Sequence, residues 1–131
     1  AWVRTRQGRI YTFQGQPDGR RWGPAMATDL PNPNSGLDVV RLRHDPRTLL
    51  IYNHTAKGRS PLNLAVTSNG TDWNAALVLE DEPGEYSYPA IMQTRDGLVH
   101  ATWTWKRKRI RHAVMDPAQL ATAPIRHGRW P

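Results

Sequence analysis

Any chemistry this chain performs has to be built largely from arginine. Eighteen lysines and arginines against eleven acidic residues give a formal charge of +7, and arginine far outnumbers lysine. A planar guanidinium forks onto a carboxylate or phosphate through two parallel N–H donors. Composition therefore favours an anionic partner: nucleic acid, an acidic glycan or a carboxylated small molecule. The same excess equally suits a chain from a GC-rich genome. A second group is polar: Asn32, Asn34 and Ser35 in one loop, then Asp38, Asn53 and His54. Such residues hydrogen-bond sugar hydroxyls, and the same residue types cap turns at strand entrances. The run from Trp105 to His112 carries five basic residues in eight. It could contact phosphates, form a rim attracting acidic glycans, or remain solvated surface. With no cysteine there is no thiolate ligand or disulfide. No histidine spacing supports a metal site, so neither metal nor cofactor is expected.

The elements that would hold these residues follow from a repeat. Asn63 to Trp73 reads as a strand, a tight Asn69-Gly70 turn, and a tryptophan opening the next strand. Asn-Gly favours a hairpin because both residues tolerate positive φ. A related box, Gln16-Pro17-Asp18-Gly19-Arg20-Arg21-Trp22, ends 51 positions before Trp73. At that offset Leu37–Val40 falls opposite Tyr88–Ile91, and Asp45 opposite Asp96. Periods of this size belong to propellers and solenoids. Each unit holds about four short strand patterns, the count of a propeller blade.

Along the chain, alternation predicts strands at Trp2–Thr5, Arg9–Phe13 and Pro24–Thr28. Leu30–Gly36 reads as a loop because two prolines and a glycine exclude a central strand. Leu37–Leu42, Leu49–Asn53, Leu62–Val66 and Ala75–Leu79 would form one complete blade. Ser87–Gln93, Leu98–Trp105 and Arg109–Met115 would give three strands of the next. Asp116–Leu120 reads as a capped helical turn, and the tail from Pro124 has no clear pattern. The fold class is thus all-β: a partial β-propeller of four-stranded antiparallel blades, roughly two and a half of them. Residues 1–29 form an incomplete blade, 30–80 a complete one, and 81–131 an incomplete blade with the tail. Propellers close with about four to eight blades, so the ring needs a longer protein or further copies of this chain, a homo-oligomer, to complete it.

No apolar run reaches transmembrane length, and no membrane partner is expected. The start, Ala1-Trp2-Val3-Arg4, lacks a secretory signal layout and an initiator methionine. The compartment is left open, with a periplasmic or secreted parent protein compatible with the composition.

Beyond periodicity, particular segments resemble the sialidase (neuraminidase) superfamily of six-bladed propellers, in its BNR-repeat (Asp-box) branch. They are Leu30–Leu42, Leu50–His54, Gly58–Asn63, Gly84–Gln93, Asp96–His100 and Trp103–Arg107. The resemblance covers nearly the whole chain and corresponds to the C-terminal portion of such a protein. It implies that the box residues Asp18, Trp22, Asn69 and Trp73 are structural, at blade peripheries.

The resemblance also implies site roles. Family members hold a substrate carboxylate with arginines, two of which lie just before the third strand of successive blades. Arg9 and Arg59, 50 positions apart, match those positions, with Arg4 and Arg6 as register alternatives. The family nucleophile is a tyrosine, and Tyr86 in Tyr86-Ser87-Tyr88 matches it. A phenol suits an anionic sugar that would repel a carboxylate nucleophile. Tyr88 and Pro89 depart from the family's following serine. The polar group supplies Asn34, Asp38, Asn53 and Tyr88 as further substrate-binding residues. The first family arginine, the acid/base aspartate and the activating glutamate have no counterpart here. The implied function is a sialidase-like exo-glycosidase, or a fragment of one. It would act on acidic or deoxy sugars at glycan ends by a retaining mechanism. The alternative is a non-catalytic carbohydrate-binding or protein-interaction propeller. An acidic glycan is the expected partner, and nucleic acid is not.

Overall fold

A computed structural model describes residues 1–131 and shows an all-β chain of three antiparallel sheets. β1 (Trp2–Val3), β2 (Arg9–Thr12) and β3 (Met26–Pro31) make the first sheet. β4 (Asp38–Arg41), β5 (Thr48–Tyr52), β6 (Leu62–Thr67) and β7 (Asn74–Glu80) follow one another across the second. β8 (Tyr86–Gln93), β9 (Val99–Trp105) and β10 (Arg109–Met115) form the third. No helix is long and apolar enough to cross a membrane.

The middle sheet organises the core because both of its faces are covered. Every residue of β5 and β6 is buried, which explains why their sequences, Thr-Leu-Leu-Ile-Tyr and Leu-Asn-Leu-Ala-Val-Thr, are not alternating amphipaths. Alternate side chains go to opposite neighbours. Leu49, Ile51, Leu62, Leu64 and Val66 meet Tyr86, Ile91, Val99, Ala101 and Trp103 of the third sheet. Leu50, Tyr52, Ala65 and Trp73 meet Ile10 and Leu30 of the first. Each fully buried leucine or isoleucine contributes roughly 1.5–3 kcal/mol.

The turn boxes act locally as expected, with one difference. Asn69 Oδ1 accepts from the amides of Thr71 and Asp72 at 3.0 and 2.9 Å. Asp18 Oδ1 accepts from Arg20 N at 3.0 Å. Trp73 is buried edge-on to Trp2, their rings 5.7 Å apart. Trp22 instead is 55% exposed, lying on Gly15, where a Cβ would come within 2.9 Å of its ring. Trp73 receives a neighbouring sheet's tryptophan as cover, and Trp22 does not.

Two segments differ from expectation. β3 runs through Leu30 and Pro31, which the prolines had argued should be loop; Pro31 is the strand's last residue, opposite Arg9, where its missing N–H interrupts no ladder. The tail, which had no pattern, returns to the middle sheet as β11 (Ala123–Pro124), pairing with Ala75 and Asn74 of β7. Beyond β11, Ile125 and Trp130 pack against the cluster between the first two sheets. His54 clips this tail. Its Nε2 lies 3.0 Å from Gly128 O, an acceptor only, so Nε2 carries the proton and Nδ1 accepts from the Tyr52 hydroxyl.

Burial holds the His54 pKa below its ordinary value, partly offset by the Gly128 bond. The unfolded chain therefore binds the proton more readily, and stability that is full above about pH 6.5 is lost as pH falls through the lowered folded value. Thermal unfolding between pH 8 and pH 5 should show this decline, and it should flatten in His54→Gln.

Candidate functional site

The face above the inner strands is wired by one side chain. Asn53 follows β5 and is fully buried. Its Nδ2 lies 3.0, 2.9 and 3.1 Å from the carbonyls of Arg59, Pro61 and Tyr86. Its Oδ1 accepts from Ser35 Oγ at 2.6 Å. Ser35 is in turn set by Asn32, whose Oδ1 accepts from Ser35 N at 3.1 Å and whose main-chain N–H donates to Gly8 O at 3.0 Å. The loop after β3, the segment before β6 and the start of β8 are thereby drawn to one point.

Arg59 stands at that point. Its main chain bridges to Glu85 and accepts from Tyr86 N at 3.0 Å. Its guanidinium donates from Nη1 to Glu85 Oε1 at 3.1 Å and lies 5.5 Å from the centre of the Tyr88 ring, within cation–π range. Arg107 reaches the same Oε1 through Nε at 3.0 Å. The Arg107 hydrogen bond is the chief reason that the Glu85 carboxyl is held below the usual carboxylate range, and the same bond raises Arg107.

The two tyrosines are separated by a β-bulge. Ser87 pairs with Thr104 and Ala90 with Thr102, so one extra residue sits in β8. Tyr88, at φ 52°, turns outward and is 66% exposed. Tyr86 and Ile91 are five positions apart, yet both face the core against the middle sheet. Strict alternation would put them on opposite faces, and the extra residue removes that conflict. The Tyr86 side chain is fully buried and its hydroxyl has no partner. A Cβ on Gly84 would lie 3.1 Å from that hydroxyl and 2.8 Å from the Lys106 stem, so Gly84 is what lets this loop close over the phenol.

The remaining expected residues divide. Asp38 Oδ1 accepts from Val39 N and Oδ2 from Ile91 N, each at 2.9 Å; its carboxylate thus joins β4 to the bulged strand. Asn34 is exposed at φ 62°, and its carbonyl accepts from Arg4 Nη1 at 3.5 Å. Its loop borders Tyr88, for a Cβ on Gly36 would stand 3.7 Å from Tyr88 Cα. Arg9 is exposed on β2 beside the Gly8 carbonyl that holds Asn32. Arg59 and Tyr88 are in contact, the loop carrying Asn34 borders Tyr88 through Gly36, and no side-chain bond links Arg9 to the group. Glu85 and Arg107 join it without having been singled out. In sequence they read as parts of an acidic crossing and a basic run, and only the fold brings residues 59, 85 and 107 together.

Comparison with known proteins agrees with this architecture. The model of the BNR repeat-like domain family matches residues 1–101. No curated protein matches the chain. Among solved structures, the intramolecular trans-sialidase of Ruminococcus gnavus, in complex with oseltamivir carboxylate, superposes with TM-score 0.75 at 15% identity, over 91% of this chain and 30% of that one. The leech intramolecular trans-sialidase, complexed with 2,7-anhydro-Neu5Ac, gives TM-score 0.67 at 14% identity, over 94% of this chain and 21% of that one. The chain spans less than a third of either, and the likeness is one of fold.

Replacing Asn53 by Ala removes the partners of several buried groups at once, at about 1–3 kcal/mol for each group left unsatisfied. Urea unfolding should show a loss of at least about 3 kcal/mol. Asn53→Asp should not rescue it, because a carboxylate cannot donate to the three carbonyls.

Proposed function

The chain belongs to the BNR repeat-like domain family, and from that premise we propose that it carries the acid-recognising part of a sialidase-like glycoside hydrolase site. The substrate would be an acidic sugar at a glycan end. One observation carries the proposal: the Arg59 guanidinium, part-exposed at the rim, already holds a carboxylate oxygen at 3.1 Å beside an exposed tyrosine ring. A fork so placed suits a carboxylate on a ring whose apolar face rests on Tyr88. Arg9 is the second guanidinium assigned to the acid, and Asn34 the exposed hydrogen-bonding side chain. Asp38 and Asn53 serve the site by holding its loops, since their polar atoms are already committed to the protein.

Retaining cleavage would use the Tyr86 phenol as nucleophile at the anomeric carbon. That role requires the Gly84 loop to part from the buried hydroxyl. It also requires acid/base and activating carboxylates from further blades, of the same polypeptide or of another copy. Binding without cleavage is the second reading, and the burial of Tyr86 is what favours it.

Titration of the chain with N-acetylneuraminic acid tests the shared part of both readings. Arg59→Ala should weaken binding about tenfold or more, the scale of one lost charge-assisted contact; unchanged affinity in a folded variant would sink both. In a protein whose further blades complete the ring, Tyr86→Phe separates them on an aryl α-sialoside. Hydrolysis lost with binding intact supports catalysis, and an equal rate before and after substitution removes Tyr86 from the mechanism.

A further inference from the structure

We infer that Arg107 is a further acid-binding residue, paired with Arg59, and that Glu85 is a built-in carboxylate occupying this clamp until a ligand's carboxylate displaces it. The inference rests on the acid-recognition reading above and names how that site is occupied and regulated.

Three observations converge. Arg59 Nη1 and Arg107 Nε approach the same oxygen, Glu85 Oε1, at 3.1 and 3.0 Å. Two guanidiniums from different loops therefore already share one carboxylate, as they would share a substrate's. All three side chains are accessible, at 30% for Arg59, 30% for Glu85 and 75% for Arg107. Exposed pairs of this kind are weak, so an incoming acid can replace the internal one. Two guanidiniums against one carboxylate also leave one positive charge over, which draws a second anion.

The backbone that presents Arg107 supplies the second observation. Lys106 and Arg107 both sit at positive φ, 48° and 55°, in a tight turn closed by Lys108 N to Trp105 O at 2.9 Å. Glycine or asparagine ordinarily takes such positions. Two long basic side chains are kept there at a backbone cost, and strain of that sort gathers where side chains have work to do. The turn is pinned to Glu85 itself, since Lys106 N donates to Glu85 O at 2.7 Å. Lys106 is turned elsewhere, 3.5 Å from Glu82 and 4.8 Å from the centre of the Trp105 ring. Arg107 alone of the two is delivered to the clamp.

Tyr88 is the third. Arg59 lies over its ring while holding the Glu85 oxygen that Arg107 also reaches. The two guanidiniums and the exposed ring thus border one small area. The Glu85 carboxyl, held low chiefly by Arg107, stays ionised at neutral pH, so the clamp is filled when no ligand is bound.

Calorimetric titration of the full chain with N-acetylneuraminic acid at fixed ionic strength tests this. Glu85→Gln should bind about fivefold to tenfold tighter, and Arg107→Ala about tenfold weaker. The two substitutions combined should fall between them. Glu85→Ala guards against a glutamine that remains bonded to the arginines. Circular dichroism melts establish that each variant is folded. If Arg59→Ala loses binding while Glu85→Gln, Glu85→Ala and Arg107→Ala leave it unchanged, the clamp is overturned and the Arg59 reading stands. If neither the parent chain nor any Glu85 variant binds the acid, the clamp and the acid-recognition reading fall together.

Discussion

A single buried amide holds the three sheets to a common face. Asn53 meets a hydroxyl from the loop that leaves the first sheet, two carbonyls of the segment entering β6, and the carbonyl that opens β8. The surrounding interior is apolar, so each of these groups would be costly without its partner. The geometry of the face therefore depends on a residue that touches nothing outside the protein. Arg59 and Tyr86 owe the positions of their main chains to it, and Glu85 and Tyr88 follow as their neighbours in the chain. The site residues are arranged by polar satisfaction beneath them more than by contact with one another.

The bulge in β8 turns this scaffold into a surface. One extra residue reverses the strand's facing, so that Tyr86 and Ile91 both enter the core while Tyr88 is turned out. β8 is the edge strand of its sheet, and the Asp38 carboxylate takes up the outward N–H of Ile91. Asp38 interrupts an otherwise apolar inner strand for this reason. Positive φ at Tyr88 and at Lys106 and Arg107 falls on the segments that border the Arg59 guanidinium. Backbone irregularity and exposed chemistry coincide.

The sheets were legible because burial writes itself into the sequence. β5 and β6 show as apolar runs since both their faces are covered, β9 alternates since one is, and β10 was located at Arg109–Met115 with no displacement. The two turn boxes marked the first two sheets, and the strand patterns after Ser87 marked the third. What was not legible depends on long-range placement. Nothing local in Tyr86-Ser87-Tyr88 says which tyrosine turns inward, because the bulge shows only in the pairing with Thr102 and Thr104 across the ladder. An asparagine in a polar stretch looks the same whether it faces a sugar or three carbonyls. Glu85 and Arg107 sat in charge runs of opposite sign, and their meeting at Arg59 arises only when the crossing loop and the β9–β10 hairpin fold onto the same rim. The tail was unreadable because Ala123–Pro124 draws its strand character from the edge of β7 and not from its own composition.

The central claim is that this face recognises a carboxylate. The most direct measurement follows the arginine Nε–H resonances of the full chain by NMR while N-acetylneuraminic acid, and separately its methyl ester, is added. The account predicts that the acid moves the Arg59 and Arg107 signals in a saturable way and that the ester, one methyl larger and without the charge, moves them far less. Equal shifts with acid and ester, or shifts confined to arginines away from this rim, would contradict it.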